Sequence, residues 1–502
     1  MKHISIFILT TFLSIAQANA QALVNNLGAN VYINPGAFVI IRTNSLHNFT
    51  GYVQNGGEFV IEGDVINDAQ LAGGTSATGL YRVLGDWVNN GSVNSMQDTV
   101  HLYGHNQLIG GTVPTAFNNL LLTGQPSSIK VMGNDAYVDG WLNLTDVELA
   151  TNQYNMTVRN TNLGAILNTM IGSEEDFGFV SSLDTGKLIR HTNNTSAYYY
   201  PLGTPTSTGV PFYYRPLDVS PSSAALNAYG ARLTKDPSYE GYDVDIMDDI
   251  LCKVNPLYYH NISHQSGSSP ADLKFYFNAA NDRLWTDVGH WKNSQWNYTT
   301  TASAGLGGGY NTLEINNWND FDPEPFALAA KKFTIEAGPD HVIFAGENVT
   351  LNPTYTATNI ASHYWSPDRF LDNANNWDVN SRPNEDITYQ LYAINDLGCE
   401  ALDTLHIRIK PAELLIPTAF SPNGDGVNDV YRVVKENVSE FLFQIFNRWG
   451  EKVFETTDVE EGWDGVYKDV PQPMDVFTWQ VWFKLSGSNQ KKFKSGNVTL
   501  VR

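Results

Sequence analysis

The sequence predicts an all-β, multi-domain protein, and three observations carry this. Short runs alternate apolar and polar residues between turn residues, as in Thr99–Tyr103, Asn119–Thr123 and Lys274–Phe277, which is the period of a half-buried strand. Helical periodicity is nearly absent beyond the first twenty residues. The charged fraction is 16%, against about 25% in an average soluble domain. Asn, Thr, Ser and Gly fill the gap, a composition that suits turns and strands and starves a helical bundle of its Glu, Lys, Leu and Ala.

At roughly 150 residues per domain, 502 residues suggest about three or four domains. A hydrophobic content of 42%, with 12% aromatic, is enough for packed cores. The 52 acidic and 30 basic side chains give a net charge of −22, which argues against nucleic acid and against anionic lipid heads as partners.

The chain opens Met1-Lys2-His3 and continues with an apolar run to about Ile15, then Ala18-Asn19-Ala20, an A-x-A signature. This predicts a secretory signal peptide over residues 1–20, cleaved after Ala20, with Ala18 and Ala20 as the small residues at the cleavage site. The alternative is a membrane anchor, but the run is shorter than the roughly 20 residues a spanning helix needs. Two cysteines, Cys252 and Cys399, are too few for a disulfide framework. A single bridge is open to them in an oxidising compartment. Their placement in different predicted domains favours two separate buried thiols.

Residues 21–186 carry a loose internal repeat. Gly63-Asp64-Val65-Ile66-Asn67 recurs as Gly85-Asp86-Trp87-Val88-Asn89, with a weaker echo at Asp139-Gly140-Trp141-Leu142-Asn143. A period in the twenties with Gly and Asn at corners fits a β-solenoid, because Asn tolerates a left-handed corner and can ladder with its copy in the next coil. The uneven spacing keeps an ordinary sandwich open. Residues 187–332 are aromatic-rich, with Tyr198-Tyr199-Tyr200 and Trp285, Trp291, Trp296 and Trp318, and read as a β-sandwich. The rings either fill a core or present flat faces to sugars. Residues 333–411 show a third strand pattern, with Trp365 suited to a sandwich core. The Ala337-Gly338 opening, Trp365-Ser366-Pro367 and the stretch from Tyr389 to Asn395-Asp396-Leu397-Gly398-Cys399 resemble the PKD-like and Ig-like modules of bacterial surface proteins, which implies spacing or adhesion.

Residues 412–502 are the informative segment. Phe443, Ile445 and Lys452–Phe454 alternate on either side of Asn447-Arg448-Trp449-Gly450, which predicts a hairpin. Val476–Phe483 alternates again, and the chain ends on a strand, so a terminal edge open to β-augmentation by a partner is expected. Phe420-Ser421-Pro422-Asn423-Gly424-Asp425-Gly426, Asn428-Asp429, Phe446-Asn447-Arg448-Trp449-Gly450, Gly462-Trp463-Asp464-Gly465 and the close Gly496–Arg502 stand in one order. This closely resembles the gliding-motility-associated C-terminal domain, the type B sorting domain of the type IX secretion system. One departure is Met474-Asp475, where the family has a small residue and Gly. The resemblance implies export through the periplasm to the outer membrane. It implies as partners the type IX translocon and a PorP/SprF-like outer-membrane barrel.

Candidate chemistry is sparse. Ser421–Asp429 partly matches a calcium loop, with Gly426 at its sixth position, but Ser421 and Arg432 stand where an Asp and a bidentate Glu belong. An Asx- and Gly-rich turn without metal competes with it. If calcium binds, Asn423, Asp425 and Asp429 are its ligands. His101/His105 and His260/His264 are spaced i, i+4, which on a strand separates them by about 13 Å, too far for one ion. The Gly305–Gly309 run reads as a flexible loop, since no strand–helix unit surrounds it. Asp98-Thr99-Val100 and Asp403-Thr404-Leu405 resemble the Asp-Ser/Thr-apolar sites that Bacteroidota glycosylate.

The expectation is a non-enzymatic surface protein with no cofactor. It would be held at the extracellular face of the outer membrane through its C-terminal domain, as an adhesin or as an accessory subunit of gliding-motility or secretion machinery. The alternative is a secreted carbohydrate-binding or polysaccharide-degrading protein on the same route, with surface glycans as partners.

Overall fold

The computed structural model describes residues 24–502, apart from 43, 75–78, 95–96, 126, 169–176, 207–211, 302, 308, 358, 411–413, 436–437 and 486–489. The predicted cleavage residues Ala18 and Ala20 lie outside the described residues. Strands dominate, and the chain divides into two compact units between Lys331 and Lys332.

The first unit opens as a β-solenoid. Three sheets rise side by side, each strand parallel to its copy in the next coil. One runs from Val24–Asn26 to Phe179–Ser181 in eight strands, one from Asn30–Ile33 to Ser92–Asn94 in four, and one from Phe38–Ile41 to Ile166–Leu167 in seven. The repeat visible in the sequence is the register itself: Val65, Ile66 and Asn67 pair with Trp87, Val88 and Asn89. The weaker echo is out of phase, because Leu142 belongs to the third sheet and stands on Leu120. Inward residues such as Val53, Ile61, Val83, Leu102 and Leu122 form the buried core.

A ladder of buried asparagines runs up one corner. Asn26 donates to Asn48 (3.0 Å), Asn48 to Asn67 (2.9 Å) and Asn67 to Asn89 (2.8 Å), at sequence offsets of 22, 19 and 22. None of the four has positive φ, so the left-handed-corner rationale does not apply to them. They are used because a primary amide both donates and accepts, and so can satisfy its copies on both sides inside a core. Glycine is needed where coils touch. A β-carbon on Gly91 would stand 2.1 Å from the Ala69 carbonyl oxygen of the coil below.

No break follows the last coil. Thr115–Phe117, Ala136–Val138, Met156–Val158 and Leu188–Thr192 are parallel neighbours, and Leu188–Thr192 then pairs antiparallel with Asn227–Lys235 in the same ten-stranded sheet. The solenoid therefore passes by hydrogen bonds into the sandwich. That sheet packs on a five-stranded antiparallel one, with Phe275 5.8 Å from Phe326 and 5.3 Å from His260, ring to ring. Ser303–Gly307 is the edge strand of this second sheet, which corrects the expectation of a flexible loop at Gly305–Gly309: its glycines extend against Tyr310–Trp318. Between the sheets Arg215 and Asp282 are an ion pair without solvent exposure, and the Tyr258 hydroxyl donates to the same carboxylate at 2.7 Å.

The aromatic residues are mostly core. Tyr198, Tyr200 and Trp296 are fully buried, and Trp285 nearly so, donating its indole N–H to the Asp282 carbonyl at 2.7 Å. Trp291 and Trp318 are half-buried, edge-on to Trp296 at 5.5 Å and to His290 at 5.0 Å.

The second unit contains two hydrophobic cores. In the first, Trp365 and Tyr389 pack with Leu351, Val379, Leu391, Leu405 and Ile407 under a four-stranded sheet. Trp365 donates to the Trp377 carbonyl (3.1 Å) and Tyr389 to that of Arg369 (2.8 Å), so both polar tips are satisfied. The second core is that of the terminal sandwich. Cys252 and Cys399 are not the free buried thiols expected from their placement: both are disulfide-bonded. That state belongs to an oxidising compartment.

Candidate functional site

The terminal sandwich rests on one five-stranded sheet, in the order Ala419–Phe420, Lys491–Leu500, Asp475–Leu485, Val438–Phe446 and Lys452–Thr456. Alternation puts Phe477, Trp479, Val481 and Phe483 on the buried face with Phe443, Ile445, Val498 and Leu500. Trp463 closes this core, 4.7 Å from Phe477 and 5.4 Å from Phe420.

The terminal strand is not the free edge expected from the sequence. Thr499 and Leu500 are covered by Ala419 and Phe420, with the Thr499 N–H donating to Thr418 (2.9 Å) and the Val501 N–H to Phe420 (3.0 Å). Only the earlier part of the strand is open. There Lys492 and Lys494 stand opposite the core-facing Phe483 and Val481, and inward lysines are a standard guard against edge pairing.

The motif residues gather at one end of the sandwich. Asp429 closes the Ser421–Asp429 loop: one carboxylate oxygen accepts the N–H groups of Asn423 (3.0 Å) and Gly424 (2.7 Å), the other that of Gly426 (2.8 Å). Asp425 accepts from Val427 N–H (2.7 Å) and from the Asn423 amide (3.0 Å), and these bonds hold its carboxyl below the usual range. Asn428 takes a left-handed φ of 55° and returns its carbonyl to Ser421 N–H at 2.9 Å. The oxygens proposed for calcium thus face backbone N–H groups of their own loop, and this donor set does not fit a cation shell. Among the described residues no group of three or more His, Cys, Asp or Glu is placed to hold a metal.

Asn447 builds the hairpin turn, its side-chain oxygen accepting from Trp449 (3.0 Å) and Glu451 (2.9 Å), with Gly450 at φ 81°. Arg448 pairs with Asp475, whose carboxyl that contact lowers, and lies 5.6 Å over the Trp449 ring. Trp449 itself is 80% exposed. Asp475 is the departure noted in the sequence, so the substituted turn has gained an ion pair across it. It stands opposite Leu500, which brings this turn to the end where the chain finishes.

Trp463 exchanges backbone hydrogen bonds with Tyr431, and Asp464 accepts the Val466 N–H at 2.9 Å. A methyl group on Gly465 would lie 3.0 Å from Pro422 and 3.2 Å from Leu500, so the Ser421–Asp429 loop, the Trp463 turn and the terminal strand meet there. Arg502 is exposed just beyond.

Sequence reasoning missed the outer face. Leu442, Trp482 and Phe493 are cross-strand neighbours there, with Trp482 and Phe493 5.0 Å apart, beside a pocket of about 390 Å³ bordered by Glu440 and Lys491. The odd positions of Val476–Phe483 drew attention inward. The lone outward Trp482 was the available signal.

The histidine pairs do not converge. His101 bonds Thr123 and His105 bonds Ser128, while His260 and His264 bond the carbonyls of Arg215 and Ser269. Burial pulls His101 and His260 down to about 4. Thr99 lies in the solenoid's third sheet between two paired strands, and Thr404 is exposed on Glu400–Ile409. Among the described residues no helix is long and apolar enough to cross a membrane.

The last described strands thus form a compact all-strand module with its motif turns drawn to one end. Residues 414–500 match the family model of the CHU_C type IX secretion signal domain. This segment is therefore a type IX sorting domain. It directs the protein through that system's machinery to the cell surface or the medium. No curated protein matches the chain.

Among solved structures, the N-terminal eight Ig domains of DSCAM align at 11% identity over 58% of this chain and 46% of that one, with a TM-score of 0.18. The chain thus spans less than half of that structure. Dimeric latent PorU from Porphyromonas gingivalis aligns at 8% identity over 58% and 32%, TM-score 0.14. A tetra-tandem repeat from the extending region of a large adhesion protein aligns at 10% identity over 63% and 99%, TM-score 0.15. These scores are too low to place the whole chain in any of their folds.

Proposed function

We propose that the protein is a non-enzymatic surface protein. It is held at the extracellular face of the outer membrane by its sorting domain, which docks on a PorP/SprF-like barrel. It acts as an adhesin or as an accessory subunit of gliding-motility or secretion machinery, with the solenoid and sandwiches as exposed scaffold. The observation that supports this is the division of labour among the motif residues. Trp463 from the core and Asp429 through the backbone N–H groups of its exposed loop shape one end of the sandwich, while Trp449, steadied by Arg448 and Asp475, projects 80% exposed from it. Exposed aromatic and arginine side chains are the usual anchors of an interface.

The test is a native pull-down from gently solubilised outer membranes with partners identified by mass spectrometry, repeated with Trp449→Ala. Recovery of a barrel with the wild type, and its loss with the variant, is expected. Wild-type protein recovered alone, or released into the medium, would overturn the reading. Glycan binding, the other reading, now rests on Trp291 and Trp318, since Trp285 and Trp296 are buried. A glycan array on which Trp291→Ala abolishes a wild-type signal would favour it.

A further inference from the structure

The first described coil of the solenoid has open strand edges. Val24–Asn26, Asn30–Ile33 and Phe38–Ile41 are the outermost strands of the three sheets, so three strand edges lie unpaired at one end among the described residues. The core is laid open with them. Val31, Val39 and Ile41 are only half-buried, whereas their partners one coil on, Val53, Phe59 and Ile61, are buried. Leu27, Tyr32 and Phe38 are 72%, 53% and 54% exposed on the same coil.

Solenoids need a polar terminal cap, and single edges are guarded with charge. This chain does guard an edge elsewhere, with Lys492 and Lys494. Here the three outermost strands carry no charge: Val24–Ile41 contains no Asp, Glu, Lys, Arg or His, in a chain of net charge −22, and the nearest charge, Arg42, pairs with Glu62 of the next coil at 3.3 Å.

We propose that this coil is the contact between two copies of the chain, joined end to end about a two-fold axis. A two-fold perpendicular to the solenoid axis reverses the sense in which strands circle it. Each free strand therefore meets a strand of the other copy antiparallel, the stronger pairing geometry. The charge distribution selects a second copy as occupant. Two acidic chains repel over most of their surfaces, and an uncharged, apolar end is where they approach without that cost. The contact closes on itself, so it makes a dimer and no filament.

The test is the mass of the exported full chain by light scattering across concentrations, with hydrogen exchange followed at Val24–Ile41. The variant carries Leu27→Lys with Tyr32→Lys, two exposed positions that leave folding intact. Twice the chain mass for the wild type, exchange at Val24–Ile41 slowing as concentration rises, and association weakened at least 100-fold in the variant are expected. A wild type that is monomeric at tens of micromolar overturns the proposal. Fast exchange would then point to an unlike partner, and slow exchange at every concentration to coverage by residues ahead of Val24. A variant that stays dimeric also overturns it, because the contact must then lie elsewhere.

Discussion

Removing Asn497–Arg502 should leave the protein in the periplasm, and the structure says why. Val498 and Leu500 are fully buried in the terminal core. Burying side chains of that size contributes about 1.5–3 kcal/mol each. The Thr499 and Val501 backbone bonds to Thr418 and Phe420 add about 1 kcal/mol apiece. The deletion thus costs about 5–8 kcal/mol, as much as the whole stability of many small domains. Leu500→Ala alone should cost about 2–5 kcal/mol. Removing only Val501 and Arg502, both exposed, should cost about 1 kcal/mol and leave the fold intact. Surface display is read by protease accessibility on whole cells against the periplasmic fraction, and the fold by thermal melting. The expected order is loss of display for the six-residue deletion, partial loss for Leu500→Ala, and normal display for the two-residue deletion. If the two-residue deletion abolished display without changing melting, the terminal residues would be read directly, and burial of Val498 and Leu500 would not be what display depends on.

Three further outcomes are expected. Asn67→Ala should destabilise the first unit by about 2–3 kcal/mol, because it strands the Ser92 carbonyl and breaks the links to Asn48 and Asn89 inside the core; urea unfolding measures it. Burial pushes the Asp98 carboxyl up to about 6, and one of its oxygens has no partner. The folded state therefore favours the neutral acid. That contribution is present below about pH 4 and is lost as pH rises through 6, a change of order 2–3 kcal/mol. His101, His260 and His290, pulled down to about 4 by burial, act in the opposite sense, losing stability as pH falls below about 6.5, so the reading must be a difference between variants. Asp98→Asn should raise stability at pH 7 and flatten this component between pH 4 and 7; equal stability at both would contradict it. Gly496→Ala should cost about 1–3 kcal/mol in the terminal domain, since a β-carbon there would lie 2.4 Å from the Trp479 ring; differential scanning calorimetry reads the shift.

The solenoid was legible where chemistry repeats. Gly63–Asn67 and Gly85–Asn89 keep the same inward residues and the same ladder amide, so their likeness is a register. Later coils conserve only inward apolarity, which many side chains satisfy, and so Trp141-Leu142-Asn143 looked like a copy while sitting in another sheet. The passage from coil to sandwich left no mark, because Leu188–Thr192 pairs with backbone on both sides and backbone hydrogen bonds are blind to sequence. The sorting motifs were legible as residues but not as roles. Asn447 and Asp429 serve backbone N–H groups, Trp463 serves the core, and only the pairing of Arg448 with Asp475 shows what the unusual turn gained.

The continuous sheet has a kinetic consequence. Each coil rests only on its neighbours, so order in the solenoid spreads and recedes along one dimension. At one end it is anchored to an antiparallel sheet built from distant parts of the chain; at the other, Val24–Asn26 is the outermost described strand. On warming dilute, dissociated protein, a melting front should enter at the first described coil and travel inward rung by rung along the asparagine column. On refolding, the sandwich is the seed from which the coils zip back one by one, so the first described coil is the last to find its place.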